Sequence, residues 1–432
     1  MIPPCLGPTS QRRSKYGGTG DVLLDTVKII ATLATTTCDE RIGLMIELRG
    51  ISWDHPRGHD CMVATADAFM AANPAVRLVW ETRPLQAFAD HPVEKLAQTY
   101  DLLVIDHPFV GFAAADGCLL PIDVHVDAAV LDDQAANSVG PSHRSYIYAD
   151  HQWALATDAA GHVSSYRPDL VQHIGGVPRT WDDVLRVATD RQRRSNAQIG
   201  IPLIPVDALM SFCSICAAHG ESPFTGPDRV ISRTMGHHAL EMLSTLRNVC
   251  HPESLHRNPP RMLDLMSTTD EVAYVPLLFG YSNYARRGFR PSLVRFGPVP
   301  ATDGNPPRGG ILGGAGLAIS NSTGHPEVAV RYAVFVASWE IQRSVYFESG
   351  GQPGHRVAWL DSEVNAASSD FFRDTLETLD NAYLRPRYDG YMAVQERAGE
   401  LIHAWLTDGG GADPLLEALD ALYRASNPNG ER

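Results

Sequence analysis

Within five residues, Trp53-Asp54-His55-Pro56-Arg57 gathers an aromatic face, a carboxylate, an imidazole and a guanidinium, and Asp-His-Pro returns as Asp106-His107-Pro108. A carboxylate accepts hydrogen bonds from hydroxyl or ammonium groups, while His and Arg donate to oxygens, so the set suits capture of a small polar solute. If the two Asp-His units met around one atom, they would instead suit general acid–base or metal-assisted hydrolysis. A second group, Tyr281, Asn283 and Tyr284, offers two stacking faces and an amide. Gly313, Gly314 and Gly316 read as hinge or close-approach glycines, since no Lys-Ser/Thr pair follows to make a phosphate loop. A third Asp90-His91-Pro92 precedes a helical pattern and reads as a helix start.

Each of these residues has a structural alternative. Trp53 can fill a core, Asp54 and Asp106 can cap helices, His55 and His107 can bond neighbouring backbone, and Tyr281 and Tyr284 can stack on their own surroundings. Cys213 and Cys216 have redox or zinc spacing with His219 behind them, but no second pair follows and the segment reads as an apolar helix, which favours buried thiols. The sequence assigns neither a metal nor a cofactor.

The elements that must position these groups begin at Met45. Ile46 and Leu48 alternate with polar residues as in a strand; Met62, Ala66, Phe69 and Met70 follow at helical spacing and stop at Asn73-Pro74. Val76, Leu78 and Trp80 make a second strand, Val93, Leu96 and Ala97 a helix, and Leu102 to Ile105 a buried strand. This β-α-β-α-β order predicts a parallel sheet with right-handed crossovers. Both Asp-His-Pro units of interest fall where a strand ends, the edge of an open α/β sheet outside which ligands bind.

Beyond Asp123 the pattern loosens. Helices are expected from Thr180, whose hydroxyl can cap a helix that buries Val184, Leu185 and Ala188, and around 207–219 and 236–248. Glu271 to Val275 reads as a strand ended by Pro276, Leu293 to Phe296 and Gly316 to Ser320 as short strands, and Gly297 to Gly314 as an irregular connection outside either core. A long helix from Pro326 places Ala329, Tyr332, Ala333, Val336 and Trp339 on one face.

The chain has 432 residues, enough for two or three units, and 44% hydrophobic with 20% charged residues marks it as globular. Its 36 basic and 50 acidic side chains leave a formal charge of -14, which repels nucleic acid; Arg191 to Arg194 is a short basic run at a predicted helix end. Seven cysteines form no even framework. No stretch approaches the roughly 18 apolar residues of a membrane span. Residues 1–44 read as a poorly ordered extension or a degenerate export signal, with Thr35 to Cys38 a weak lipoprotein box and Met45 an alternative start.

With these segments in place, the chain resembles the extracellular solute-binding proteins of ABC importers, in particular the carbohydrate-type family that includes maltose-binding proteins. Tyr100 to Asp106 followed by Gly117 to Asp123, Ser165 to Leu170 with Gly176 to Asp183, Gly313 to Ser320, the helix with Trp339, and Gly350 to Pro353 follow that family's order from about Met45 to Trp405. The Asp-His-Pro units at 54 and 106 are not part of its general pattern, which points to a specialised subgroup.

The resemblance implies an α/β, two-lobed periplasmic-binding-protein (type II) fold with a hinge and an interlobe ligand cleft. Residues 45–124 and 298–337 would form the first lobe, and 125–297 and 338–432 the second. Trp53, Asp54, His55, Arg57, Asp106 and His107 would face the solute from the first lobe, with Tyr281, Asn283, Tyr284 and Gly314 completing the site. Implied partners are a sugar, polyol or organic acid and ABC permease subunits, for a monomer in the periplasm or outside the cell. The competing expectations are a cytoplasmic ligand sensor on the same fold and a metal-dependent hydrolase using the Asp-His pairs.

Overall fold

The computed structural model describes residues 45–85, 93–189, 197–302 and 305–426. The N-terminal segment 1–44, Asp90-His91-Pro92 and the basic run at 191–194 lie outside the described residues.

The chain alternates β1 (Ile46–Trp53), α1 (Asp60–Ala72), β2 (Val76–Arg83), α2 (Val93–Ala97) and β3 (Leu102–Ile105). β1 pairs in parallel with β2 along its whole length, from Ile46 opposite Val76 to Trp53 opposite Arg83, and with β3 through Gly50 and Ile51. Gly50 has a packing reason, because a Cβ there would stand 2.6 Å from the Trp80 ring. Helix α1 buries Met62, Thr65, Ala66 and Phe69 and closes at Asn73, just ahead of Pro74. All four residues of β3 are buried, as expected of a strand covered on both faces.

A short hairpin, β4 (Ile147–Tyr148) and β5 (His151–Gln152), leads into β6 (Leu155–Tyr166); β7 (Gln198–Ile199), β8 (Val272–Phe279), β9 (Arg295–Gly297) and β10 (Leu312–Ile319) follow. The main sheet runs β2-β1-β3-β10-β6-β8-β7, with β9 also on β6. Two strands carry it from one half to the other. The first part of β6, Leu155 to Gly161, lies antiparallel to β10, and its second part, His162 to Tyr166, lies against β8 and β9. β10 in turn gives Gly316 to Ile319 to β3.

The helices that matter for the site are α3 (Trp181–Thr189), α4 (Pro205–Ala218), α5 (Arg233–Val249), α6 (Pro259–Thr268), α7 (Pro326–Ala337), α8 (Phe371–Asp380), α9 (Tyr391–Asp408) and α10 (Ala412–Ser426). α7 and α1 pack on the half-sheet of β1 to β3, whereas α4, α5, α9 and α10 build the largest core with Ile199, Tyr274 and Leu277. Thr180 caps α3 reciprocally: its Oγ1 accepts from Asp183 N at 3.1 Å, and Asp183 Oδ2 accepts from Thr180 N at 3.3 Å. Cys213 and Cys216 are sealed within α4, and burial pushes the Cys213 thiol up to about 12.

Four expectations need correction. Pro276 lies inside β8 rather than ending it; the register of β6 against β8 shifts between Val163 and Ser165, so Pro276 meets an irregularity where no amide is required. The stretch from 297 to 314 is not wholly outside the cores, because Val299 and Ile311 are buried and β10 already begins at Leu312. Leu293 and Val294 precede β9, which starts only at Arg295. Trp339 does not extend the face of α7: Ser338 turns extended at φ -63° and ψ 145°, and the indole ends 42% exposed.

Candidate functional site

Where β1 and β3 end against the crossing strands β6 and β10, a cleft opens, with about 900 Å³ of empty space continuous with solvent. Trp53 closes β1, Asp106 follows β3, Asp158 and Ala160 come from β6, and Gly313 to Ala315 from β10. The rest of the wall comes from the start of α4, through Val206, Asp207 and Met210, from Asn258 and Pro259 at the start of α6, and from Phe279 and Tyr281 at the end of β8. Arg385 and Gln395 complete it. An outer recess shares Leu85, Ile204 and Asn258 with this cavity and adds Asp54 and His55, so one cleft grades from a wet rim to a buried floor.

Arg57 ties the parts together. Its Nε donates to Asp158 Oδ2 at 2.8 Å, its Nη2 to Asp158 Oδ1, and its Nη1 to the Gly280 carbonyl at 2.9 Å. Its guanidinium stands 4.5 Å from the centre of the Tyr281 ring. One side chain therefore joins the loop after β1, the crossing strand β6 and the end of β8. Burial opposes its charge, but the Asp158 carboxylate more than offsets this and raises the guanidinium above its ordinary value. The neighbouring Gly58 lets the chain fold back over Trp53, since a Cβ would approach the indole to 2.3 Å.

A second arginine does the same on the other side of the floor. Arg385 Nη2 donates to both carboxylate oxygens of Asp106 at 2.7 Å, and its Nη1 donates to Gln395 Oε1 at 2.9 Å. Burial alone would raise the Asp106 carboxyl; Arg385 and His107 bring it well below the usual carboxylate range instead. Asp106 also accepts from the His107 amide at 2.9 Å and so caps the 3-10 turn His107–Phe109. Capping and ion pairing are combined in one residue.

Asp207 differs from both. It is 4% exposed, its Oδ2 is buried without a hydrogen-bond partner, and burial pushes the carboxyl up to about 8. It is the acid of the floor that no arginine neutralises.

Of the residues singled out from sequence, Trp53, Arg57, Asp106, Tyr281 and Gly314 line the cavity, and Asp54 and His55 line the outer recess. His55 accepts the Arg57 amide at Nδ1 over 3.0 Å, packs edge-to-face on Tyr281 with ring centres 4.9 Å apart, and is pushed down to about 3 by burial and by Arg57. Gly314, at φ 105°, carries no Cβ because one would meet the Asp158 carbonyl at 2.4 Å. His107, Asn283 and Tyr284 lie behind the wall. His107 is fully buried with Nδ1 3.1 Å from Asp106 Oδ1; Asn283 Nδ2 donates to Gly350 O at 3.0 Å; Tyr284 donates to Asp264 at 2.9 Å. Among the described residues, no group of three or more His, Cys, Asp and Glu is gathered to hold a metal ion.

Sequence reasoning passed over Asp158, Asp207, Asn258, Arg385 and Gln395. Asp158 carried a signal, as the one carboxylate within the small, apolar run Ala154 to Gly161. Asp207 did not, because an acid in the first turn of a helix is ordinary.

In the comparison with solved structures the chain aligns almost end to end with binding proteins. An ABC transporter solute-binding protein from Agrobacterium radiobacter K84, in complex with ribitol, matches with a TM-score of 0.74 at 18% identity, covering 88% of this chain and 98% of that one. The chain has the two-lobed, type II solute-binding fold. Maltose-bound MalE3 of T. maritima matches this fold with a TM-score of 0.75 at 16% identity, covering 88% and 99%, and a mannitol-bound solute-binding protein from Agrobacterium vitis S4 with 0.68 at 17%, covering 88% and 97%. No family model and no curated protein matches the sequence. In this chain β6 and β10 cross from one half of the sheet to the other, and the cavity is lined by both.

Proposed function

We propose that this protein is the solute-capturing component of an ABC importer, which takes a small polar solute between its lobes and releases it chemically unchanged. The observation that carries this reading is the floor of the cleft, where the carboxylates of Asp106 and Asp158 are already engaged by Arg385 and Arg57. A carboxylate held in such a pair keeps lone pairs that accept from solute hydroxyls, while its charge is already balanced by the guanidinium and its position is fixed. Trp53, Phe279 and Tyr281 supply faces that pack on sugar or polyol C–H surfaces.

In this proposal, 45–124 with 298–337 and 125–297 with 338–432 move as lobes about β6 and β10, and Trp53, Asp54, His55, Arg57, Asp106, Tyr281 and Gly314 belong to the site. His107, Asn283 and Tyr284 support it from behind. A solute touching both lobes favours closure by its differential affinity, and the loaded form is what permease subunits recognise outside the cytoplasmic membrane. The net charge of -14 accords with a partner other than nucleic acid.

The test is a melting-shift screen over sugars, polyols, organic acids and amines, with and without chelator, followed by mass spectrometry of the recovered ligand. A ligand at about a hundred times its Kd adds roughly 2.7 kcal/mol to stability, visible as a rise of a few degrees, and should be recovered intact. Turnover of any of these compounds would overturn the proposal.

A further inference from the structure

Three carboxyls face the floor of the cleft, those of Asp106, Asp158 and Asp207, against two guanidiniums, those of Arg57 and Arg385. Both guanidiniums are committed, Arg57 to Asp158 and Arg385 to Asp106. One acid is therefore left over. Asp207 is nine-tenths buried and lines the cavity from the first turn of the fourteen-residue helix α4, between Val206 and Met210, and its buried Oδ2 has no hydrogen-bond partner. A buried carboxyl without a partner is costly, and a native protein keeps one where a ligand completes it.

We propose that Asp207 is the counter-ion for a protonated amine on the solute, so that the ligand is an amino sugar, an amino polyol or a related hydroxylated amine, and that binding it expels the proton Asp207 holds in the empty cleft. This rests on the solute-binding reading above and narrows its substrate class. Trp53, Phe279 and Tyr281 line the same cavity, and aromatic rings there favour a cation further. The amide end of α4 stabilises the carboxylate once a cation has arrived.

The other ionisable groups around Asp207 do not do this work. In the cavity they are the two ion pairs and Tyr281, whose phenol is pushed up to about 12, first by its own burial. On the elements packed against α4, His403 of α9 donates from Nδ1 to Leu203 O at 2.6 Å, and His162 of β6 meets Ser214 at 2.8 Å. His219 and His238 pair with each other beyond the opposite end of α4, and the buried Tyr391 of α9 and the half-buried Tyr383 are neutral phenols. None of these supplies a positive charge to Asp207. Its carboxyl, held up to about 8 by burial, is protonated at neutral pH in the empty site.

The experiment pairs each amine with its hydroxyl counterpart: glucosamine with glucose, glucamine with sorbitol, putrescine with butanediol. Melting shifts and calorimetric titrations are taken from pH 6 to 9 in buffers of different ionisation heat. The expected result is that an amino member binds at least about tenfold tighter than its counterpart, that its affinity rises up to about tenfold per pH unit below 8, and that about one proton is released per ligand. Asp207→Asn should abolish the preference and the pH dependence while keeping the apo circular dichroism and melting transition. A neutral member binding as tightly as its amine, or an unchanged preference in Asp207→Asn, overturns this inference and leaves solute binding standing. Binding by no member of any pair, nor by any compound of the wider screen, overturns both.

Discussion

The tripeptide Asp-His-Pro occurs twice at the ends of neighbouring strands, and the two copies meet opposite fates. In the first, Asp54 is exposed on the outer recess, and His55 spends Nδ1 on the Arg57 amide. In the second, Asp106 sinks to the floor under Arg385, and His107 disappears behind it. Identical local chemistry acquires different meaning from what lies across the cleft: β1 ends beside open space, whereas β3 ends facing an arginine nearly three hundred residues later in the chain. A short motif of this kind therefore announces a strand end and a polar surface, and tertiary partners decide which copy touches a ligand.

The largest effect that should separate the copies is on stability. Asp106→Ala removes the partner of a buried guanidinium and should cost about 3–5 kcal/mol in urea unfolding, because Arg385 is left charged in a dry site. A carboxylate that only faced the solute could be removed without harm to the apo protein; the pairing with Arg385 predicts the opposite. Asp158→Ala should cost a similar amount through Arg57, and a loss below about 1 kcal/mol at either position would mean that water reaches the arginine.

A smaller difference should emerge in acid. Burial, reinforced by Arg385, pushes His107 down to about 4, whereas an unfolded histidine titrates near 6.5. Between those values the unfolded chain binds a proton that the native state refuses, so stability falls as pH drops from about 6.5 toward 4, by at most roughly 1.4 kcal/mol per unit for this residue. His107→Leu should flatten that limb of the stability curve measured by urea titration at successive pH values. An unaltered slope would show that His107 is protonated in the native state. His55, pushed down to about 3, should contribute the same way, so the comparison sharpens if both single variants flatten the curve and the double variant does so additively.

The smallest effect is expected at the exposed copy. Asp54→Ala should change unfolding free energy by less than about 0.5 kcal/mol while altering ligand affinity or its salt dependence. A stability loss as large as that of Asp106→Ala would erase the distinction between the copies.

Much of the architecture was legible because it is written in local periodicity. The alternation of β1 and β2, the helical spacing of α1 with its stop at Asn73-Pro74, and the cap by the Thr180 hydroxyl are short-range statements that the structure repeats. What escaped was long-range. Arg385 sits in the irregular stretch Leu384-Arg385-Pro386, where no pattern singles it out, and its value comes only from Asp106. Asp207 was disguised by its position, and Tyr284 and Asn283 were drawn into the site by their types although their polar atoms are spent on Asp264 and Gly350. Pro276 misled for a related reason, since a strand tolerates it when the opposing register slips.

Because β6 gives one end to each half of the sheet, neither half can be cut free without exposing a raw edge of unpaired amides. Such edges invite aggregation, so excised fragments should be poorly behaved. The same continuity means that heat or denaturant ought to dismantle the molecule in one concerted transition, with calorimetric and van't Hoff enthalpies in agreement, even though its two halves wrap separate cores.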